Sequence, residues 1–194
     1  MGNKSTISFI LLFIGLTFMC MAESNESNRY AQSLDKEAHI YRTFDSVPIN
    51  IEINKLANAQ FTTNAQTRKG NKWFNIAYPQ YGAMVYCTIV PVTKDNLNKE
   101  IKNRWQRIML NANMGKPSSV IFEDSINNIS AEMFFSPETS ITPVQFMATD
   151  SATFLFSGAL NFQERIINAD SIRPIINYIS EDIGYMLQNL KKSK

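Results

Sequence analysis

Apolar and polar residues alternate along several short stretches of this chain, and the first clear example covers residues 47–53. Its apolar side chains occupy every second position: Val47, Ile49, Ile51 and Ile53. This period of two predicts a half-buried strand. Pro48 has no amide hydrogen to give to a ladder, so it favours a position at a sheet edge. A weaker extended stretch is expected at residues 60–64.

Longer apolar stretches follow at residues 73–78 and 83–92, with a turn-forming segment between them. The second is apolar on both faces, which is typical of a central strand that is covered on both sides. Pro91 is expected to end it or to place its end at an edge. Four further stretches downstream are also predicted strands: residues 118–123, 129–135, 144–148 and 153–162. Asp150 and Ser151 predict a hairpin turn between the last two.

Residues 95–113 change to a helical period. One stripe of apolar side chains recurs at intervals of three or four residues: Leu97, Ile101, Trp105 and Ile108. Asp95 is the predicted N-cap, because its carboxylate can accept hydrogen bonds from the free amides of the first turn. Gly115 and Pro117 then predict the end of this helix.

The chain ends in a second predicted helix, which Asp170 or Ser171 would cap. Its apolar stripe is longer: Ile172, Ile176, Ile179, Ile183, Met186 and Leu190. Pro174 is tolerated in the first turn, where the amides have no helical partner. Strands, one inserted helix, more strands and a closing helix together predict an α+β fold, with an antiparallel β-sheet and two main helices packed on it.

Residues 1–22 differ from the rest, since Lys4 is their only charged residue and residues 7–19 are mostly apolar. That apolar stretch is shorter than the roughly 20 residues a membrane-spanning helix needs, so it predicts a signal peptide. Residues 23–45 are polar and without a clear period, and they are interpreted as a tether. Residues 46–194 then form a single α+β domain.

Cys20 leaves two processing routes open. Cleavage after Ala22 is possible because small residues stand at the −3 and −1 positions. Alternatively, Cys20 becomes a lipidated N-terminus, although Met19 is large where a small residue usually precedes a lipidated cysteine. Cys87 lies within an apolar run and is expected to be a core residue. If Cys20 carries lipid, no second cysteine remains for an intramolecular disulfide.

Composition narrows the function classes. Apolar residues make up 44% and charged residues 19%, as in ordinary globular proteins rather than disordered ones. The formal net charge is +2, and no basic block is longer than the short tail Lys191, Lys192 and Lys194. Nucleic acid is therefore not an expected partner.

Catalytic and metal-binding patterns are weak. The one histidine, His39, lies in the predicted tether, which argues against histidine-assisted nucleophilic catalysis and against zinc. An acid–base pair could in principle assemble from acidic residues that are otherwise interpreted as solvated turn and helix positions: Glu123, Asp124, Asp150, Glu181 and Asp182. No catalytic residue, cofactor or metal is predicted.

Four Asp-Ser-apolar triplets place serines after aspartates: Ser46, Ser125, Ser151 and Ser171. The physical explanation is that both side chains bond nearby amides and therefore collect at turns and caps. The triplet also resembles the O-glycosylation acceptor of exported proteins in the Bacteroidota. Glycosylation of at least one exposed serine is a second interpretation.

Trp73, Tyr78 and Tyr81 are candidate docking aromatics. Core and turn positions explain most of them, but any exposed ring would suit a protein-docking patch.

Several separate stretches, in order, resemble the gliding-motility lipoprotein GldD family of the Bacteroidota: residues 73–79, 81–83, 85–86, 143–151, 156–162 and 170–176. The resemblance covers residues 73–190. Residues 41–48 depart from the family's basic, proline-rich pattern, so a GldD-like paralogue remains an alternative. The order of strands and helices also resembles PsbP-like domains.

The resemblance implies a non-catalytic, membrane-anchored envelope lipoprotein that faces the periplasm. It would be lipidated at Cys20 and would support gliding motility and the linked type IX secretion machinery. Its partners would then be other gliding and secretion proteins of the envelope, and the lipid anchor would hold it to a membrane. A periplasmic binding module for a small ligand or peptide is the alternative, and an acid–base hydrolase is a third hypothesis.

Overall fold

The structure is a computed structural model that describes residues 39–46, 48–62, 70–112, 116–136, 142–162 and 169–193, without the side chains of residues 169–171. These residues form ten strands and two helices, and the strands pair in antiparallel sheets. The predicted α+β fold with two main helices is confirmed.

Seven strands form the larger sheet. In chain order they are β3 (Asn58–Phe61), β4 (Lys72–Tyr78), β5 (Ala83–Pro91), β6 (Ser118–Asp124), β7 (Ile129–Phe135), β8 (Val144–Thr149) and β9 (Phe154–Phe162). Their spatial order is β3-β4-β5-β9-β8-β7-β6. The strand β5 lies inside this sheet between β4 and β9, as its apolar pattern predicts, and it ends at Pro91.

Three strands form a smaller sheet in the order β1-β2-β10: β1 (Tyr41–Asp45), β2 (Ile49–Asn54) and β10 (Lys191–Lys192). The edge position inferred from Pro48 is wrong, because β2 is the middle strand. Pro48 precedes the ladder, and its carbonyl accepts a hydrogen bond from the amide of Ser193 at 2.8 Å.

The predicted boundary between tether and domain is too late in the chain. The strand β1 pairs with β2 from Tyr41 to Asp45, which are residues assigned to the tether from the sequence. Its pattern is mixed because only some of its side chains are half-buried, which hid the strand from a search for alternation. The domain therefore includes His39 and β1, and residues 1–38 lie outside the described residues.

The two helices are α1 (Leu97–Asn111) and α2 (Ala169–Gln188). Asp95 is not the N-cap of α1, since the cap residue is Asn96, and the Asn96 side chain accepts a hydrogen bond from the amide of Thr93 at 2.8 Å. In α1 only Ile108 of the predicted stripe is fully buried. The predicted stripe is buried from Ile172 to Met186 of α2, and Leu190, which follows the end of the helix, is buried as well.

The main core lies between one face of the larger sheet and a second layer, made of the smaller sheet and α2. A row of stacked and tilted phenylalanine rings joins the layers: Phe44, Phe61, Phe74, Phe156 and Phe146. Cys87 lies in this core, as predicted, and burial raises the pKa of its thiol. On the opposite face, α1 covers a smaller cluster formed by Val90, Val92 and Leu155.

Candidate functional site

A buried carboxylate, Asp182, lies at the centre of a polar cluster between α2 and the smaller sheet. Only 3% of Asp182 is exposed. The Asn54 amide donates to both of its carboxylate oxygens, at 3.1 and 3.0 Å. The Tyr78 hydroxyl donates to Oδ2 at 3.0 Å, and His39 Nδ1 lies 2.7 Å from Oδ1. These partners satisfy a charge that would be costly to bury alone.

His39 lies between two carboxylates of α2. Its second ring nitrogen, Nε2, is 3.1 Å from Glu181 Oε2, and its ring stacks on Tyr178 with centroids 4.4 Å apart. Neutral imidazole has one N–H donor, whereas both ring nitrogens face acceptors here. The contacts with Asp182 and Glu181 are ion pairs only when the imidazole carries a positive charge.

Two tyrosines next to this carboxylate are held in their neutral form. Burial raises the pKa of Tyr78 well above its ordinary value, and the negative charge of Asp182 raises it further. Burial and then the same carboxylate also raise the pKa of Tyr41. Tyr41 stacks on Tyr185 with centroids 3.7 Å apart, which ties β1 to α2 a second time.

The chemistry of this cluster is that of a structural tie. Asn54 donates to Tyr178 at 3.0 Å as well as to Asp182, and its own oxygen accepts the amide of Leu56 at 2.9 Å. The cluster joins β2, β4, α2 and the segment that leads into β1. In the described part of the chain, no group of three or more His, Cys, Asp or Glu is placed to hold a metal.

An open groove runs along α2 beside this cluster, with a volume of about 700 Å³. It is bordered by α2, β6, β7 and the start of β1. Its lining mixes aromatic, apolar and polar side chains: His39, Tyr41, Phe122, Met133, Phe135, Asn177, Ser180, Glu181, Tyr185 and Gln188. A recess of about 250 Å³ shares Phe122 and Gln188 with it. Side chains of this kind are better suited to binding a peptide or small ligand than to catalysing a reaction.

The turn between β8 and β9 contains a second buried carboxylate, Asp150, and confirms the predicted hairpin. The Oδ1 atom of Asp150 accepts hydrogen bonds from the amides of Ala152, Thr153 and Phe154, at 3.0, 2.7 and 3.2 Å. The Lys192 ammonium lies 2.9 Å from Oδ2. Burial alone would raise the pKa of Asp150, but the hydrogen bonds from Thr153 and then Lys192 lower it well below its ordinary value.

The prediction that the acidic residues are solvated is wrong for Asp150 and Asp182, which are only 1% and 3% exposed. Asp182 could have been noticed, because it is three residues from Ile179 and next to Ile183, on the buried side of α2. The interpretation of His39 as a tether residue is wrong as well. Nothing in the local sequence pairs His39 with Asp182, which is 143 positions away.

The three candidate docking aromatics do not form one patch. Tyr78 is 3% exposed and bonded to Asp182, so its assignment to a docking surface is wrong. Tyr81 is half-buried, and its ring lies edge-on to Tyr178. Trp73 is half-buried and belongs to the opposite face of the larger sheet, because side chains alternate along β4.

The candidate glycosylation serines differ in exposure. Ser46 is fully buried, and its hydroxyl donates to the Ile49 carbonyl at 2.7 Å, so the folded domain does not offer it as an acceptor. Ser125 and Ser151 are exposed in turns, and their glycosylation stays a prediction. The Ser171 side chain and Cys20 lie outside the described residues.

Comparison with known proteins identifies the family to which the chain belongs. No helix within the described ranges is long and apolar enough to cross a membrane. No curated protein matches the chain. Residues 25–191 match the family described as gliding motility lipoprotein GldD, which is most of the chain. Membership of a lipoprotein family indicates a membrane-anchored envelope protein. The chain belongs to the GldD family of gliding motility lipoproteins.

Proposed function

We propose that this protein is a non-catalytic envelope lipoprotein that supports gliding motility and the associated type IX secretion machinery, by holding or assembling other envelope proteins. The family match over residues 25–191 is the observation that carries the proposal.

The geometry around Asp182 supports a role without catalysis. Glu181 and Asp182 both meet His39 rather than facing each other across a cleft, as an acid–base pair would. The Ser180 hydroxyl in the adjacent groove donates to the Ile176 carbonyl at 2.6 Å, which engages its only proton within the helix. Among the described residues, these groups hold the fold together, and the Ser180 hydroxyl is bonded to the helix backbone rather than to the histidine.

The proposed anchor is a lipid on Cys20, with the domain facing the periplasm. The family's description as a lipoprotein and the apolar stretch in residues 7–19 support it. A single cysteine-linked lipid group would hold the protein at a membrane, and the polar residues between Cys20 and His39 would give the domain reach.

The test is a clean deletion compared with its parent for secreted proteins and for surface spreading. Loss of type IX cargo from the medium together with loss of spreading, both restored by the wild-type gene, is the expected result. Unchanged secretion with lost spreading would limit the protein to motility. Unchanged secretion and spreading would overturn the proposal.

A Cys20→Ala copy tests the anchor separately. The substitution keeps a small residue at the −3 position, so cleavage after Ala22 and export remain possible. We expect this variant to leave the membrane fraction and to fail to restore spreading. A fully active, membrane-bound Cys20→Ala protein would contradict the lipid anchor while leaving the motility function intact.

A periplasmic binding module remains the second candidate, because the groove along α2 is large enough for a peptide or small ligand. None of Trp73, Tyr78 and Trp105 lines this groove, so it is not a closed pocket built on those rings. Gly184→Leu would narrow the groove from α2. Lost spreading by this variant, at normal abundance and melting temperature, would favour binding in the groove.

A further inference from the structure

The strand β6 forms one edge of the larger sheet, and its outer side is unpaired by any strand within the described residues. It pairs with β7 without interruption from Ser118 to Asp124. Its central side chains are unusually exposed for apolar residues: Val120 is 45% exposed and Ile121 is 61% exposed. Because neighbouring side chains point to opposite faces, both faces of this edge present apolar surface.

This edge lacks most of the devices by which proteins block pairing, and its only charged residues, Glu123 and Asp124, are the last two of the strand. Such devices include a lysine or proline within the strand, a bulge, or a very short strand. Between Ser118 and Asp124 there is no lysine, proline or break in register. The other edge strand of the same sheet, β3, is short and carries the polar residues Asn58 and Gln60 on one face.

We propose that β6 pairs with β6 of a second copy of this chain, antiparallel, so that the two larger sheets become continuous. Backbone amides and carbonyls on the outer edge of each strand then satisfy one another. The exposed apolar side chains of both strands become covered at the same time.

Charge favours a second copy in this orientation. The exposed Lys116 precedes β6, whereas Glu123 and Asp124 lie at its end. Antiparallel pairing of two identical strands brings the basic end of each to the acidic end of the other. Parallel pairing would place like charges side by side.

The alternation of side chains limits the register. Residues that pair across the joint must lie on the same face, so their numbers are both even or both odd. With Val120 opposite Val120 of the second copy, Lys116 lies opposite Asp124, and Ser118 lies opposite Phe122. This register joins opposite charges and covers Phe122, which borders the groove along α2.

Cysteine cross-linking of the mature, membrane-extracted chain in detergent tests the pairing. Directly opposed residues in antiparallel strands have Cα atoms about 4.5–5.5 Å apart, which is within the range for a disulfide. We expect Val120→Cys to give a disulfide-linked dimer as the main product under mild oxidation. Gln60→Cys on β3 is the matched control and should stay monomeric, and the buried Cys87 does not contribute.

Two further variants make the outcome decisive. In sedimentation, the wild type should have the apparent mass of a dimer and Ile121→Lys that of a monomer. The two proteins should have the same melting temperature. A dimer formed by Ile121→Cys in preference to Val120→Cys would keep the pairing and shift its centre by one residue. Overturning results are a monomeric wild type with cross-linking no greater than in Gln60→Cys, or cross-linking in cells to a different envelope protein. Loss of the dimer leaves the motility proposal untouched, because the deletion phenotype does not depend on it.

Discussion

At the scale of single residues, Asp182 connects parts of the chain that are far apart in sequence. Its partners Asn54, Tyr78 and His39 come from β2, β4 and the segment before β1. A buried carboxylate is stable only while such donors surround it, and the donors in turn need the carboxylate as their acceptor. Removing the carboxylate therefore affects several elements at once.

Asp182→Ala is expected to lower the free energy of unfolding by about 2–4 kcal/mol, because it removes the acceptor for several buried donors. Urea unfolding followed by tryptophan fluorescence measures this. Glu181→Ala is the control on the adjacent position, where the side chain is 70% exposed, and should cost less than about 1 kcal/mol. Equal losses in the two variants would contradict the central position of Asp182.

At the scale of elements, the turn between β8 and β9 depends on the ionised Asp150. The pKa of Asp150 is lowered in the folded state, which means that folding favours the charged form of its carboxyl group. Its contribution to stability is therefore present above the ordinary carboxyl pKa of about 3.9 and is lost as pH falls below it. The ion pair with Lys192 also links this turn to β10.

Asp150→Asn should lower stability at neutral pH by about 1–3 kcal/mol, because the amide cannot form the ion pair with Lys192. The variant should also lose less stability than wild type when the pH falls from about 5 to 2. Urea midpoints across that range report both effects. Glu123→Gln, at an exposed position, should follow the wild-type curve. An Asp150→Asn curve parallel to that of wild type would contradict the linkage.

Glycine positions within two elements predict opposite responses to an added methyl group. A Cβ on Gly184 of α2 would meet Phe122 at 3.7 Å and Met133 at 3.9 Å, which are ordinary contacts. Gly184→Ala should raise stability by about 0.5–1 kcal/mol, because alanine favours the helix. A Cβ on Gly158 of β9 would lie 2.5 Å from the Phe146 ring, so Gly158→Ala should destabilise the protein. Thermal melting of the pair tests both signs, and a lower melting temperature for Gly184→Ala would be the contrary result.

At the scale of the whole molecule, one face of the larger sheet is covered by a second layer, and the opposite face is covered only in part. The smaller sheet and α2 cover the first face. On the second, α1 packs near Leu155, while Tyr86 of β5 remains 50% exposed. The smaller sheet depends on both ends of the domain, since β1 and β10 flank β2.

Truncation tests where the domain begins. A chain that starts at His39 retains β1 and the contact with Asp182, so it should unfold in one cooperative transition with unchanged midpoint. A chain that starts at Ser46 lacks β1 and the Phe44 ring that packs on Phe61 and Phe74, so it should unfold at markedly lower denaturant or fail to fold. Circular dichroism and urea unfolding of both chains measure this. Equal stability would restore the boundary at residue 46.

Local periodicity was enough to predict most elements, because the period of a strand or helix is carried by neighbouring residues. The central strand β5, the β8–β9 hairpin and the stripe of α2 all follow from it. Family membership likewise follows from ordered stretches of sequence, such as those around Trp73 and Pro143. Local periodicity did not predict which other elements each strand or helix packs against.

The sequence by itself determined the fold class, the main core strands and helices, and the family. Only the tertiary structure placed β1 in the domain, moved β2 to the middle of a sheet, and brought His39 and Asn54 to Asp182. For the Asp182 contacts the physical reason is separation along the chain, since they join residues 128 and 143 positions apart. The strand β1 was missed for another reason, because its side chains are only partly buried and do not alternate. Burial of a polar side chain depends on such distant partners, and no local pattern carries that information.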